Sequence, residues 1–305
     1  MPGGNGAYIR NRRRNSLQYP AERKRSAMIT FPQSTPHPYK KQTYKELESR
    51  LLREYDYEKL GTASDEKSCI YGLKYGDMEN KPVILLSACI HGEEWESTYW
   101  TLHFFDCVID PEKAEPPVRH FFETLRIRYS FYCIPVINPF GFEHSRRLSK
   151  DEVDLNRVYH KDKYAEVEIV KKRIAELKPV LVADNHTAEM PKETIGVGGL
   201  GNKNIVFLGE SIIKSMKFIR GHNQIEWYRE PVQENVNIGR GWISGQPSKS
   251  SHSVFSVIVE AAREAPLGSL QSKAEFGFNA ILCTCLYADL YFRRGILGGT
   301  GKQVL

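Results

Sequence analysis

The sequence lacks the features of a membrane-spanning, exported or disulfide-rich protein. No apolar run reaches the roughly 18 residues that a transmembrane helix needs, and the N-terminus carries no apolar segment typical of a secretion signal. The chain has only 6 cysteines, with no CxxC pair, and several of them lie within apolar stretches. We therefore expect a cytoplasmic protein whose cysteines are reduced core residues.

The charge of the chain is concentrated near its N-terminus. The net charge is +6, and 7 basic residues and 1 acidic residue among the first 26 residues account for all of it. The remainder is neutral overall, which argues against a folded body that binds nucleic acid. Residues 1–42 contain several prolines and few apolar residues, so they are predicted to form a flexible basic arm that could bind an acidic partner. The folded domain is predicted to span residues 43–305.

Helical and strand patterns alternate along this domain. Helices are predicted over residues 44–57, 98–108, 164–178, 205–219 and 274–293, and apolar strands over residues 69–73, 83–90, 127–137, 180–184 and 254–260. The alternation indicates an α/β fold, with a mixed, mainly parallel twisted sheet and helices on both faces. A turn is predicted at residues 61–64 and a mobile loop at residues 196–201.

A histidine and a glutamate follow the second predicted strand. His91 and Glu94 lie three residues apart at the carboxyl end of the apolar run 83–90. One imidazole nitrogen and one carboxylate oxygen suit a borderline ion such as Zn²⁺. Two ligands within one turn leave positions for a third protein ligand and a water, as in a catalytic zinc site. The pair is therefore a candidate for part of a metal site.

Other predicted strands also end in reactive side chains. One strand ends at Asn138–Gly141, a turn segment, and leads on to the Asp154–Arg157 segment. A further strand ends at His186, and another ends at Glu260, a carboxylate where a core residue would be apolar. Because ligand sites of mainly parallel sheets lie beyond the carboxyl ends of the strands, we expect these side chains to lie together.

These segments resemble, in the same order, the motifs of the zinc metallocarboxypeptidase family. His91-Gly92-Glu93-Glu94 is similar to its H-x-x-E metal motif, Asn138-Pro139-Phe140-Gly141 to its N-P-D-G turn, and Asp154-Leu155-Asn156-Arg157 to its D-x-N-R segment. His186 resembles the distal zinc histidine, and Glu260 lies where the family has its catalytic glutamate. The resemblance spans residues 43–305 and points to the carboxypeptidase A-like enzymes, particularly their bacterial and cytosolic branch, with similarity also to murein peptide amidases. It implies a zinc carboxypeptidase-like catalytic domain.

The resemblance implies one Zn²⁺ per chain. His91, Glu94 and His186 would be its protein ligands, and the open position would hold a water whose pKa the ion lowers. Glu260 would act on this metal-activated water as general base and would then protonate the departing amine as general acid.

The resemblance also implies roles for side chains around the ion. Arg147 would stabilise the developing oxyanion, with Arg146 as the alternative for this role and otherwise a substrate-binding residue. Asn156 and Arg157 would bind the terminal carboxylate of the substrate. Asp154 would accept a hydrogen bond from the ring nitrogen of His91 that does not bind the metal.

Two positions depart from the family pattern. Phe140 replaces the aspartate of the N-P-D-G turn, a change expected to affect packing more than chemistry. The phenolic tyrosine that many members carry before the catalytic glutamate has no counterpart in the stretch Gly239–Gly245, and Tyr228 lies too early to match it. The side-chain preference at the substrate site is therefore open.

Three functional hypotheses follow. The first is a zinc hydrolase that cleaves an amide bond next to a free carboxylate, in a peptide or in a murein-peptide linkage. The second is an N-acyl-amino-acid deacylase similar to aspartoacylase and succinylglutamate desuccinylase, which share the metal arrangement but usually carry a further C-terminal β domain, whereas 45 residues follow Glu260 here. The third is a non-enzymatic protein with a vestigial zinc site and a basic arm that binds nucleic acid or another acidic partner. The first hypothesis accounts for the most motifs.

Overall fold

A computed structural model describes residues 40–158, 161, 163–188, 192–198, 205–221, 225–229, 255–263 and 269–293. Nearly all of the predicted basic arm lies outside these residues, and so do residues 239–245. The helices of the described residues are α1 (Tyr44–Glu54), α2 (Glu96–Ile109), α3 (Pro116–Arg128), α4 (Pro139–His144), α5 (Ala165–Leu177), α6 (Ile205–Arg220) and α7 (Leu270–Arg293). The strands are β1 (Tyr57–Thr62), β2 (Cys69–Tyr75), β3 (Val83–Ala88), β4 (Ser130–Ile134), β5 (Leu181–Ala188), β6 (Glu193–Gly198), β7 (Ile225–Arg229) and β8 (Phe255–Ala262).

The strands form one mixed sheet in the order β1-β2-β4-β3-β5-β8-β6-β7. The four central strands β4, β3, β5 and β8 are parallel to one another. The pairings of β1 with β2, of β2 with β4 and of β6 with β8 are antiparallel. The predicted α/β class is therefore confirmed. The four parallel strands end at the same edge of the sheet, and that edge carries the candidate site.

Helices cover both faces of the sheet. Successive residues of the fully buried strand β3 alternate between the two cores, because side chains along a strand point to opposite faces. Ile84 and Leu86 pack in the larger core with α1, α2, α3, α6 and α7, while Val83 and Leu85 pack in the smaller core with α5. All 6 cysteines are free and buried, as predicted.

The domain begins at a well-capped helix. Thr43 accepts a hydrogen bond from the backbone N–H of Glu46 and donates its own N–H to the Glu46 carboxylate, which is a capping box. Helix α1 nevertheless ends at Glu54, three residues before the predicted end, and strand β1 follows directly. β1 is a largely exposed edge strand without an apolar run, so its sequence gave no strand signal.

Further predictions of secondary structure were wrong: Gly61 and Thr62 of the predicted turn belong to strand β1. Residues 127 and 128 belong to helix α3, and the strand begins only at Ser130. Gly196–Gly198 lies in strand β6, between β8 and β7, where a mobile loop was predicted; residues 199–201 lie outside the described residues. Glycine lowers strand propensity, and here pairing on both sides outweighs that preference. Within the described part of the chain, no helix has the length and apolar character to cross a membrane.

Candidate metal centre

A turn directly after β3 presents the first two candidate ligands. Cys89 adopts a left-handed conformation with φ of 55°, which turns the chain out of the strand. A 3-10 turn then spans Gly92–Glu94, and its carbonyl at Glu94 accepts a hydrogen bond of 2.7 Å from Ser97 Oγ. The Ser97 hydroxyl oxygen also accepts the N–H of Cys89 at 3.2 Å, so one side chain fixes both ends of the turn.

The turn packs against the start of α4 with almost no space between the two backbones. A Cβ atom at Gly92 would lie 1.9 Å from the carbonyl carbon of Gly141, so only glycine allows this approach. Asn138 caps α4 by accepting the N–H of Gly141 at 2.8 Å, and Pro139 lies at the first helical position. The segment Asn138–Gly141 therefore supports the metal-motif turn. The Phe140 ring contacts the side-chain cations of Lys150 and Arg146.

Strand β5 brings the third candidate ligand to the same place. Glu94 Oε1 lies 2.8 Å from His91 Nδ1, and Glu94 Oε2 lies 2.9 Å from His186 Nδ1. One ligand atom from each of the three residues lies within 4.8 Å of the others, and all three side chains are buried. Two imidazole nitrogens and a carboxylate oxygen are a donor set suited to zinc. The structure thus brings together the three residues predicted to bind the metal.

The second nitrogen of each imidazole meets an aspartate. His91 Nε2 lies 3.2 Å from Asp154 Oδ1, as predicted, and His186 Nε2 lies 2.8 Å from Asp184 Oδ2. Asp184 is in turn held by Ser87, whose hydroxyl donates to Oδ1 at 2.8 Å. Both Nδ1 atoms are thereby directed at the centre of the cluster, as metal-binding histidines require. The role of Asp184 was not predicted, although it lies two residues before His186 and so on the same side of β5.

The cluster is strongly coupled electrostatically. Burial lowers the pKa of His186, but Asp184 and Glu94 outweigh burial and raise that pKa well above its ordinary value. Burial likewise lowers the pKa of His91, and Glu94 and Asp154 more than compensate. Burial raises the pKa of Glu94, yet the two imidazoles hold it far below its usual range. The centre therefore favours positive charge beside Glu94, whether protons or a metal ion supply it.

Glu260 lies next to His186 across two paired strands. The two residues are Cα partners in the parallel pairing of β5 with β8, so their side chains lie on the same face of the sheet. Burial raises the pKa of Glu260 to about 7, and the charge of His186 acts in the opposite direction. A carboxylate with a pKa near neutrality is suited to accept and return a proton.

The two adjacent arginines have different surroundings. Arg147 Nε donates to Asp154 Oδ2 at 3.0 Å, and Arg147 Nη1 lies 3.8 Å from Glu94 Oε1. Arg146 instead forms an exposed ion pair with Glu152. The structure therefore places Arg147, rather than Arg146, beside the metal-binding cluster.

Asn156 and Arg157 follow Asp154 in a second 3-10 turn, Leu155–Arg157. Asp154 caps this turn by accepting the N–H of Asn156 at 3.0 Å. The same carboxylate contacts His91 and Arg147, so it connects the turn to both of these side chains. The Arg157 side chain is exposed, and within the described residues the Oδ1 atom of Asn156 is buried without a hydrogen bond. The exposed Arg157 guanidinium therefore offers N–H donors to a ligand, whereas the Asn156 Oδ1 atom is a buried acceptor.

A third arginine near the cluster was not predicted. Arg263 Nε donates to Thr187 Oγ1 at 2.8 Å, and Arg263 Nη1 lies 3.5 Å from Glu93 Oε1. Thr187 follows His186 in sequence, and Glu93 precedes Glu94, so Arg263 touches the neighbours of two candidate ligands. No motif contains Arg263, and only the pairing of β8 with β5 brings it there.

Comparisons with known proteins agree with this geometry. Residues 43–179 match the family model described as zinc carboxypeptidase. A metallo-carboxypeptidase from Burkholderia cenocepacia has a similar structure, with a TM-score of 0.64, 15% identity and coverage of 81% of this chain and 68% of that chain. A metallo-carboxypeptidase from Pseudomonas aeruginosa in complex with (2-guanidinoethylmercapto)succinic acid has a TM-score of 0.60, 18% identity and coverage of 81% and 68%. The carboxypeptidase A from Helicoverpa armigera has a TM-score of 0.54, 16% identity and coverage of 81% and 71%. At these identities the likeness to the solved structures concerns the fold.

Residues 43–179 resemble the zinc carboxypeptidase family, and the fold of the chain is that of the metallo-carboxypeptidases. The family match begins at residue 43 and includes His91, Glu94 and the segment Asp154–Arg157. His186 and Glu260 lie beyond residue 179, and the sheet alone brings them to the matched residues. The family implies zinc, and the buried nitrogen and oxygen donors described above fit that ion.

Proposed function

We propose that this chain hydrolyses an amide bond next to a free carboxylate, using one Zn²⁺ per chain held by His91, Glu94 and His186. The observation that carries the proposal is the convergence of these three side chains within 4.8 Å, beside Glu260 and Arg147. The Nδ1 atoms of both histidines face the centre, because aspartates hold both Nε2 atoms. When bound, zinc supplies a Lewis acid and lowers the pKa of water toward about 7.

The proton transfers are assigned to Glu260. Its carboxylate accepts a proton from the attacking water and returns it to the nitrogen of the departing amine. Its position level with His186, on the neighbouring strand, supports this assignment. The guanidinium of Arg147 supplies positive charge beside Glu94 and stabilises the negative charge that develops on the carbonyl oxygen.

The free carboxylate of the substrate is assigned to Asn156 and Arg157. The exposed guanidinium of Arg157 offers two parallel N–H groups to a carboxylate, and the Asn156 side chain lies beside it on the same turn. The similar metallo-carboxypeptidase from Pseudomonas aeruginosa was solved with a succinic acid derivative, which supports a ligand with carboxylate groups.

The test is the substitution Glu260→Gln, which removes the base and leaves the three metal ligands. The zinc-loaded protein is expected to hydrolyse members of a panel of C-terminally free peptides, a murein tripeptide and acylated amino acids, and to lose this activity with a chelator. Glu260→Gln should lower kcat about 100-fold or more, because general base catalysis contributes about that factor. Zinc content should remain near one per chain.

Glu166→Gln provides the matched control. Glu166 is a buried glutamate of α5 that accepts hydrogen bonds from Ser64, so its loss perturbs the fold but not the site. Retained hydrolysis in Glu260→Gln would reject Glu260 as the base. A zinc-loaded wild type that cleaves nothing in the panel would reject the proposed function itself.

A further inference from the structure

Arg263 and Arg147 both lie near one acidic side chain. The Nη1 atoms of both arginines lie near the same oxygen, Glu93 Oε1, at distances of 3.5 Å for Arg263 and 3.8 Å for Arg147. The two Nη1 atoms are therefore at most about 7 Å apart. Both distances exceed the 2.7 to 2.9 Å of a charge-assisted hydrogen bond. The negative charge of Glu93 thus lies near two guanidinium groups, but its Oε1 atom forms no short hydrogen bond with either of them.

The position of Arg263 is fixed relative to the metal-binding cluster. Its Nε atom is anchored on Thr187, whose backbone N–H donates to Glu94 Oε2 at 3.2 Å. Its backbone N–H also donates to the carbonyl of Ala188, which holds the end of β8 against β5. The Arg263 side chain remains 18% exposed and that of Glu93 30% exposed, so solvent reaches this ion pair at the edge of the cluster.

We propose that Arg263 binds a second carboxylate of the substrate, so that the enzyme prefers substrates with an acidic group near the scissile amide bond. This inference rests on the proposed amide hydrolysis and adds the class of substrate. Arg147 and Arg157 already have assigned roles, whereas Arg263 is a rigidly anchored guanidinium with no part in the proton transfers. A guanidinium recognises a carboxylate through paired N–H donors. Glu93 occupies the same surroundings and opposes binding, and its exposure allows it to move aside.

Two pairs of peptides locate the second carboxylate. In the first pair the C-terminal residue is Glu or Gln after a fixed alanine, and in the second pair the penultimate residue is Glu or Gln before a fixed C-terminal alanine. Glu and Gln have nearly the same shape, so the ratio of their kcat/KM values reports the charge. We expect a preference for Glu of about tenfold or more in one of the pairs, because a hydrogen bond to a charged group contributes at least that factor.

Four variants separate binding from structural support. Arg263→Gln should bring the preferred ratio close to one while the Gln peptides keep their kcat/KM within about threefold. Arg263→Lys should retain part of the preference, since it keeps the charge. Glu93→Gln should raise the ratio, because the competing carboxylate is gone. Arg173→Gln is the control: Arg173 is 19% exposed and pairs with Glu58, itself 30% exposed, on the α5 side of the sheet, so its loss should leave the ratio unchanged.

The outcomes distinguish this inference from the function on which it rests. Hydrolysis of Glu and Gln peptides at equal rates in both pairs overturns the inference and leaves the hydrolase intact. So does an unchanged preference in Arg263→Gln whose thermal unfolding matches that of the wild type. Failure of the zinc-loaded wild type to cleave any of the four peptides or the wider panel overturns both. An equal loss on Glu and Gln peptides in Arg263→Gln assigns Arg263 to structural support only and overturns the inference.

Discussion

Each candidate metal-binding histidine has its own aspartate partner. Asp154 holds His91 from a turn after α4, while Asp184 holds His186 from within the same strand and is itself bonded to Ser87. Such partners fix the tautomer and ring orientation of a ligating histidine. The two histidines therefore depend on different elements, and only the His186 partner is almost completely buried.

Asp184→Asn is expected to weaken zinc binding about 10- to 100-fold, because an amide cannot accept the His186 N–H with the strength of a carboxylate. Competition with a chromophoric chelator measures this affinity. Asp289→Asn is the control, since Asp289 is a buried aspartate that pairs with Arg128 and Tyr129 far from the site. Equal zinc affinity in Asp184→Asn and the wild type would show that Ser87 and the strand suffice to orient His186.

The residues that a motif contains were predictable, and those that only packing brings near were not. His91, Glu94, His186 and Asp154 stand in ordered motifs, and the structure places them in one cluster. Arg263 reaches the cluster only through Thr187 and Glu93, two contacts with no sequence pattern. The sequence also left open whether Arg146 or Arg147 lies beside the cluster. Adjacent side chains on a turn point in different directions, and a turn has no periodic pattern from which these directions can be predicted.

At the scale of elements, the close contact between the metal-motif turn and α4 leads to a further prediction. Gly92→Ala is expected to destabilise the fold by about 3 kcal/mol and to weaken zinc binding, because the new Cβ would overlap the backbone of Gly141 and neither backbone can yield easily. Denaturant unfolding and a zinc titration measure the two effects. Gly61→Ala is the control, since there the new Cβ would meet only the end of the Ile169 side chain, which can rotate away.

A Gly92→Ala protein with the stability and zinc affinity of Gly61→Ala would contradict this account of the turn.

The boundaries of the helices and strands were less predictable from the sequence than their existence. Helices α2 and α7 and strand β3 have long apolar patterns and appear where they were expected. Strands β1 and β7 lie at the two edges of the sheet, and β1 is partly exposed along its whole length, so its sequence has a weak apolar pattern. Helix α3 was not predicted, and its last two residues, Ile127 and Arg128, were assigned to the following strand because aromatic and β-branched residues continue from the helix into the strand.

At the scale of the whole molecule, the candidate metal site joins segments that are distant in sequence. The candidate ligands come from the turn after β3 and from β5, on either side of the residue where the family match ends. An ion that binds only the folded protein stabilises it by about 4 kcal/mol when its free concentration is a thousand times the dissociation constant. We therefore expect zinc removal to lower the Tm by roughly 10 °C.

Calorimetry with and without a chelator tests this shift. Glu260→Gln should show the same shift as the wild type, because its ligands are intact, whereas His186→Ala should show little. A Tm that zinc does not affect would mean that the cluster does not bind the ion tightly.

The α/β class was predictable from the alternation of apolar strands and helices. The antiparallel additions β6 and β7 were not, since glycine-rich and short segments carry little pattern.

The pairing of β5 with β8 runs without interruption from Leu181 opposite Phe255 to Ala188 opposite Ala262. A slip of one residue in this register would turn Glu260 to the opposite face of the sheet, away from His186. The proposed catalysis therefore depends on a backbone hydrogen-bond ladder whose other residues take no part in the reaction. A substitution that misaligns these two apolar strands would abolish the proposed activity although every reactive side chain were still present.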